Sequence, residues 1–205
     1  MTLFFTKGKI MTIINSTKFL DFKSAKSPSG TDWFYVKRTN DKDNLDSAVV
    51  ITTLVKKENE YYFLFLKTQR PPILAENKAK YCLESPAGLI ADENKDETLE
   101  ICANKELLEE AGYKPDKIFL ELTNSSTSAG LSSETLSYMT AIIDEDIKVL
   151  EPVNDGGIII DRIFVKTDDI YSFLNELDKK LWSISSVTLC GVFYALKRLK
   201  SLTQR

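Results

Sequence analysis

From Asn104 to Tyr113 the chain reads NKELLEEAGY, and its three glutamates are the residues whose spacing suggests chemistry. On a helix, positions three, four and seven apart share a face. Leu99, Cys102 and Ala103 begin an apolar stripe at those spacings, and Glu106, Glu109 and Glu110 continue it. Like charges at such spacings repel, and burying an unpaired carboxylate is costly, so positive charge belongs beside this row. Two readings are open. One is a solvated helix face, with Lys105 and Glu109 as an ordinary i,i+4 pair. The other takes the three carboxylates, with a carbonyl from the preceding loop SPAGLIADENKD, as oxygen ligands for Mg²⁺ or Mn²⁺. Such ions complete their shell with water and substrate phosphate, so the chemistry implied is metal-assisted phosphoryl transfer to water.

Composition narrows the alternatives. The chain has no histidine, which excludes Ser-His-Asp and Cys-His nucleophiles within it and any His-ligated metal site. Acid–base work then falls to Asp, Glu, Lys, Tyr or metal-bound water. Cys82, Cys102 and Cys190 form no CxxC pair, which fits reduced thiols in a cytoplasmic setting and no structural zinc. A net charge of −3 argues against nucleic acid as a main partner. No apolar run is long enough for a signal peptide or a membrane span. With 205 residues, 43% of them hydrophobic, the chain reads as a globular protein with a sizeable core.

The elements that must position the glutamates follow from the same string. STKFLDFKSAKSPSGTDWFYVKRT (Ser16–Thr39) predicts two strands around the turn-forming SPSG. The polar run Thr39–Ser47 separates this piece, residues 1–45, from a larger domain at 46–205. Ala48–Lys56 and Tyr61–Lys67 predict a hairpin, and Tyr81–Leu83 a short strand into SPAG. Asp96 or Thr98 is placed to cap the glutamate helix, and Gly112 to stop it. Lys117–Leu122, Thr135–Ile143 and Ile158–Val165 read as strands, and Asp168–Leu177 and Ser186–Lys200 as helices. The last helix is expected to bury Leu189, Val192, Phe193, Leu196 and Leu199 on one face. Strands mixed with few helices predict an α+β fold or a three-layer sandwich.

Gly88, Glu97 and KELLEEAGY together resemble the Nudix box, G-x5-E-x7-R-E-U-x-E-E-x-G-U. Two positions depart from it. Eight residues rather than five separate Gly88 from Glu97, and Lys105 replaces an arginine whose planar fork lysine cannot copy. DWFYVKRT, LKTQRPPI, YCLESPAGLI and SAGLSSETLSYMTA resemble successive segments of the ADP-ribose (ADP-sugar) pyrophosphatase branch, from about Asp32 to about Ile143.

The resemblance implies a Nudix-type α/β/α sandwich with a mixed sheet and a small N-terminal β subdomain. It implies a divalent metal held by the Ala87 carbonyl, Glu106 and Glu110, with Glu109 adjoining. Arg70 is expected on the diphosphate, though a surface arginine beside a proline turn is an equal reading. Trp33 is expected to stack on adenine in a pocket completed by a partner subunit, with Arg38 nearby, against the alternative of a half-buried strand tryptophan. Gly88, Leu131 and Glu134 join the substrate contacts, Glu84 supports the loop, and Glu97 steadies the loop–helix junction. A homodimer that exchanges N-terminal strands follows by the same likeness. The implied reaction is hydrolysis of ADP-ribose to AMP and ribose 5-phosphate.

The family's general base is a glutamate on a late loop, and alignment places Gly157 there. Asp155 is the nearest acid and the chosen base, although NDGG also reads as a turn; a box carboxylate such as Glu109 is the alternative. Three other functions stay open: a related enzyme acting on a UDP-sugar or dinucleotide, a nucleotide-binding module with a weakened site, and a structural domain whose acids face water.

Overall fold

The computed structural model describes residues 2–6, 9–39, 48–76, 79–90, 96–144, 151–152 and 158–204. They divide into two compact units, Met1–Ser47 with Thr123–Leu136, and Ala48–Leu122 with Ser137–Arg205. The first unit thus takes in 123–136, a segment the sequence assigned to the larger domain.

The first unit holds a four-stranded antiparallel sheet in the order β1 (Thr2–Thr6), β2 (Lys9–Ser16), β3 (Leu20–Lys26) and β4 (Asp32–Arg38). β3 and β4 are the predicted pair, joined through SPSG. Gly30 lies at φ 85°, where a side chain would be strained, and its N–H donates to the Ser27 carbonyl. The two strands before them were not expected.

The second unit holds most of an eight-stranded mixed sheet, of which residues 123–126 and 135–136 fall in the first unit. Its strands are β5 (Ala48–Lys57), β6 (Glu60–Thr68), β7 (Cys82–Glu84), β8 (Ala87–Leu89), β9 (Lys117–Ser126), β10 (Thr135–Ile143), β11 (Ile159–Lys166) and β12 (Ser183–Ile184). The main path runs β12-β7-β6-β5-β10-β9, with β11 against β6 and β8 against β5. The β12–β7 pair is parallel, whereas β6 meets β5, β7 and β11 antiparallel. Among the described residues four α-helices accompany the strands: α1 (Pro71–Glu76), α2 (Leu99–Ala111), α3 (Ile170–Lys179) and α4 (Ser186–Thr203).

Burial explains the layering. Residues 48–55 of β5 are all buried, as expected of a strand covered on both faces. Val49, Ile51, Leu64 and Leu66 face a core completed by Cys102, Ala103, Leu107 and Ala111 of α2. The alternate residues Leu54, Phe63 and Phe65 face a second core with Ile170 and Leu177 of α3 and Val192 and Ala195 of α4. The fold is therefore α+β, an α/β/α arrangement in this unit with a small antiparallel sheet at the N-terminus.

One expected face is corrected. Val192 of α4 is buried and Leu196 and Leu199 pack on the core, but Leu189 and Phe193 are exposed, Phe193 at 63%. The buried stripe runs instead through Thr188, Gly191, Val192 and Ala195. Gly191 explains the rotation: a Cβ there would stand 2.0 Å from Thr52 Oγ1, so the helix lays its smallest residue on β5.

Candidate active site

The glutamates depend on how α2 begins, ends and meets β8. Thr98 caps the helix, its hydroxyl accepting the Ile101 N–H at 3.2 Å, which satisfies one of the first-turn donors. Gly112 closes it in the left-handed region at φ 84°, donating to the Leu108 carbonyl at 2.9 Å. Between these ends, Ala103, Leu107 and Ala111 form the buried line. Glu106 and Glu110 lie beside that line, partly buried, while Glu109 is exposed. The acids thus flank the apolar stripe instead of extending it, and two of the three turn toward β8.

β8 receives them closely. A Cβ on Gly88 would fall 2.0 Å from Glu106 Cδ and 2.1 Å from Oε1, so only glycine admits the Glu106 carboxyl in this place. Ala87 donates its N–H to Glu110 Oε2 at 2.9 Å. In an extended strand a residue's N–H and C=O lie on the same edge. Ala87 pairs with Val50 of β5, yet its N–H points to Glu110, so its carbonyl also lies on the α2 edge. Leu89, two residues on, agrees: its carbonyl accepts the Cys102 thiol at 3.5 Å. Pro86 points the other way, into the Ile51 N–H at 2.8 Å.

Positive charge sits beside the row, as the repulsion required. Lys105 Nζ is 3.5 Å from Glu106 Oε1 and 3.7 Å from Glu97 Oε1, and the Glu97 side chain is only 4% exposed. Glu97 therefore lies at the loop–helix junction, tied through Lys105 to Glu106. At the other end of the helix Arg162 of β11 donates its Nε to the Glu110 carbonyl at 2.8 Å, and its Nη2 to the same oxygen. No sequence motif marks Arg162; only the pairing of β11 brings it there. Burial, then the negative Glu97 and Glu106, push the Cys102 thiol up to about 12, which keeps it protonated and unreactive.

Arg70 leaves β6 just before α1. Its Nε donates to Glu84 Oε2 at 2.9 Å and Oε1 at 3.1 Å, and Thr68 Oγ1 adds a bond to Oε2 at 2.8 Å. Glu84 accordingly holds an arginine as well as a loop. In the first unit, Trp33 is 54% exposed and donates its indole N–H to the Gly130 carbonyl at 2.9 Å. Arg38 Nε meets Glu134 Oε1 at 2.7 Å. The segment carrying exposed Leu131 is fastened to β4: Val36 donates to the Leu131 carbonyl and accepts from Ser133. Trp33, Arg38, Leu131 and Glu134 are thus brought together within one unit, and Arg70, Ala87, Gly88, Glu106 and Glu110 belong to the other. Asp155 and Gly157 lie outside the described residues.

The donor set fits a hard divalent cation. Among the described residues no three Asp, Glu or Cys side chains form a ready-made metal cluster. Two carboxylates and one backbone carbonyl instead suit Mg²⁺, which keeps several waters and takes substrate phosphate as further ligands.

No family profile matches the chain. Individual proteins do. An uncharacterised Nudix hydrolase of Schizosaccharomyces pombe is 30% identical over 179 residues, 82% of this chain and 81% of its own. The ADP-sugar pyrophosphatase of Mus musculus is 32% identical over 143 residues, 65% of this chain and 60% of its own. Among solved structures, an ADP compounds hydrolase superposes with a TM-score of 0.65 at 13% identity, over 98% of this chain and 95% of that one. The Nudix domain of Shewanella oneidensis NrtR, complexed with ADP-ribose, gives 0.52 at 18% identity over 77% and 90%. The structures bear on the fold alone, while the yeast relative matches across most of both sequences. The protein belongs to the Nudix hydrolase family.

Proposed function

We propose that the protein is an Mg²⁺-dependent ADP-sugar diphosphatase that hydrolyses ADP-ribose to AMP and ribose 5-phosphate. The observation that carries this reading is the seating of Glu106 on Gly88 with Glu110 on the Ala87 N–H, which sets two carboxylates against consecutive residues of β8. The Ala87 carbonyl, Glu106 and Glu110 would hold the cation, with Glu109 adjoining, and Mn²⁺ would serve in its place. Once bound, the metal supplies charge neutralisation of the diphosphate and a lowered pKa for the attacking water. Gly88 fixes the Glu106 rotamer by leaving room for it. Glu84 orients Arg70, whose guanidinium suits the diphosphate. Trp33 and Arg38, steadied by Gly130 and Glu134, supply the adenine contacts with Leu131 nearby. Asp155 takes the water's proton. The likeness to a mouse ADP-sugar pyrophosphatase supports the substrate class. The exposed phenylalanines of the N-terminal sheet support a homodimer.

The test is direct. Purified protein with Mg²⁺ and ADP-ribose is expected to release AMP, and Glu106→Gln to abolish the release. UDP-glucose and a diadenosine polyphosphate serve as competitors for the same site. Absence of AMP with Mg²⁺, Mn²⁺ and Co²⁺ would overturn the reading, and faster turnover of a competitor would reassign the substrate.

A further inference from the structure

Arg162 owes its position to a register shift. β11 pairs with β6 through Ile159↔Thr68, Asp161↔Lys67, Arg162↔Leu66 and Phe164↔Leu64, so Ile160 is an extra residue in a bulge. A bulge reverses which side chains face which side of a sheet beyond it. Ile159 packs toward the α2 core, and without the bulge Asp161, Ile163 and Val165 would follow it there. With the bulge, Ile163 and Val165 join the opposite core, and Arg162 and Phe164 turn toward α2. Phe164 meets Tyr113, just past the helix, ring to edge at 6.3 Å. The inserted residue therefore presents a cation, not the anion Asp161, to the acidic end of the helix.

We infer that Arg162 is a positioning residue for Glu110, a role resting on the reading of Glu110 as a metal ligand. Glu110 is held at two points: Ala87 holds its carboxylate and Arg162 its main-chain carbonyl. That carbonyl lies in the last turn of α2, where carbonyls lack helical partners and negative partial charge accumulates. A forked guanidinium satisfies the carbonyl with two donors and fixes the direction in which the Glu110 side chain leaves the backbone. Without it, the last turn frays and the carboxylate leaves the β8 edge.

The test compares wild type with Arg162→Ala, Arg162→Gln and Arg162→Lys. In metal-free protein, amide hydrogen exchange at Ala87 reads the Glu110 contact directly. Arg162→Ala is expected to speed it at least about tenfold, as Glu110→Ala should, while Phe63 and Leu64 in the sheet interior stay unchanged. Mn²⁺ affinity, read by electron paramagnetic resonance, is expected to fall about tenfold to a hundredfold, the usual loss when support for a ligand is removed. With ADP-ribose, kcat should fall with KM little changed, and Arg162→Lys, retaining charge but not the fork, should recover only part. Should Arg162→Ala not fold, Arg162→Gln carries the same comparison with one donor kept. Unchanged Ala87 exchange in the folded variants overturns the inference. Wild type that binds no Mn²⁺, with Ala87 exchange still governed by Arg162, overturns the metal reading and leaves the positioning role standing.

Discussion

At the scale of single residues, the site depends on who stands next to whom within a few tenths of an ångström. Gly88 shows this best, because its backbone needs no unusual φ and its absent Cβ alone makes room for Glu106. The atoms a Cβ would meet belong to a side chain that can rotate away. Gly88→Ala is therefore expected to leave the melting temperature within about 3 °C of wild type, roughly the effect of a sub-kcal/mol change. With Glu106 holding the metal as proposed, it should nonetheless cost at least about a hundredfold in turnover, since losing a well-placed catalytic group is worth several kcal/mol. Thermal melts and steady-state rates on one preparation check both halves; parallel losses would mean that the glycine serves the fold. Cys102 gives a pH prediction of definite sign. Its thiol lies well above the usual value of 9.0, at about 12, chiefly through burial. The unfolded chain therefore loses this proton first. The stability tied to the neutral thiol is whole below about pH 9 and drains away as pH rises toward 12, at up to about 1.4 kcal/mol per pH unit. Urea titrations at pH 8 and pH 10 should diverge less in Cys102→Ala than in wild type.

At the scale of elements, what could be read from the string was whatever local chemistry decides. The cap at Thr98, the stop at Gly112, the β5–β6 hairpin and the β3–β4 pair each follow from propensity, turn residues or alternation. The glutamate spacing likewise led to the helix, but it put the acids on the apolar stripe, whereas they lie beside it. Tertiary choices were not legible. Nothing in NDGGIIIDRIFV announces that Ile160 is extra, so nothing pointed to Arg162. The turned face of α4 has the same origin: period alone favoured Leu189 and Phe193, whereas close approach to β5 selects Gly191 and Thr188. This makes a clean test of what docks α4. Gly191→Ala drives a methyl into Thr52 Oγ1, in a strand that cannot retreat because both its faces are covered, and overpacking of that kind costs about 1–3 kcal/mol. Thr52→Ala removes the obstructing oxygen, which has no hydrogen-bond partner to lose. The double variant should regain most of the stability, and a denaturant-measured double-mutant cycle with no coupling would show that α4 docks some other way.

At the scale of the whole molecule, the open question is what covers the N-terminal sheet. Phe22 and Phe34 stack with centroids 5.9 Å apart on adjacent strands, at 42% and 53% exposure, and Leu20 on the same face is also exposed. Isolated apolar residues at a surface are ordinary, but a stacked aromatic pair with aliphatic neighbours on a sheet face marks a contact surface. A second copy of the chain is the partner we propose. It would bury this face without any new chemistry, and C₂ pairing lets one patch meet itself. Wild type is then expected to sediment as a dimer at tens of micromolar. Phe22→Thr with Phe34→Thr, which keeps strand propensity while removing about 1.5–3 kcal/mol of burial per ring, should shift it to monomer. Because the carboxylates proposed to hold the metal belong to the other unit, Mn²⁺ affinity should survive the double substitution. If the partner subunit completes the adenine contact, KM for ADP-ribose should rise with dilution. A monomeric wild type with undiminished turnover would leave the phenylalanines for a different partner and detach the dimer from catalysis.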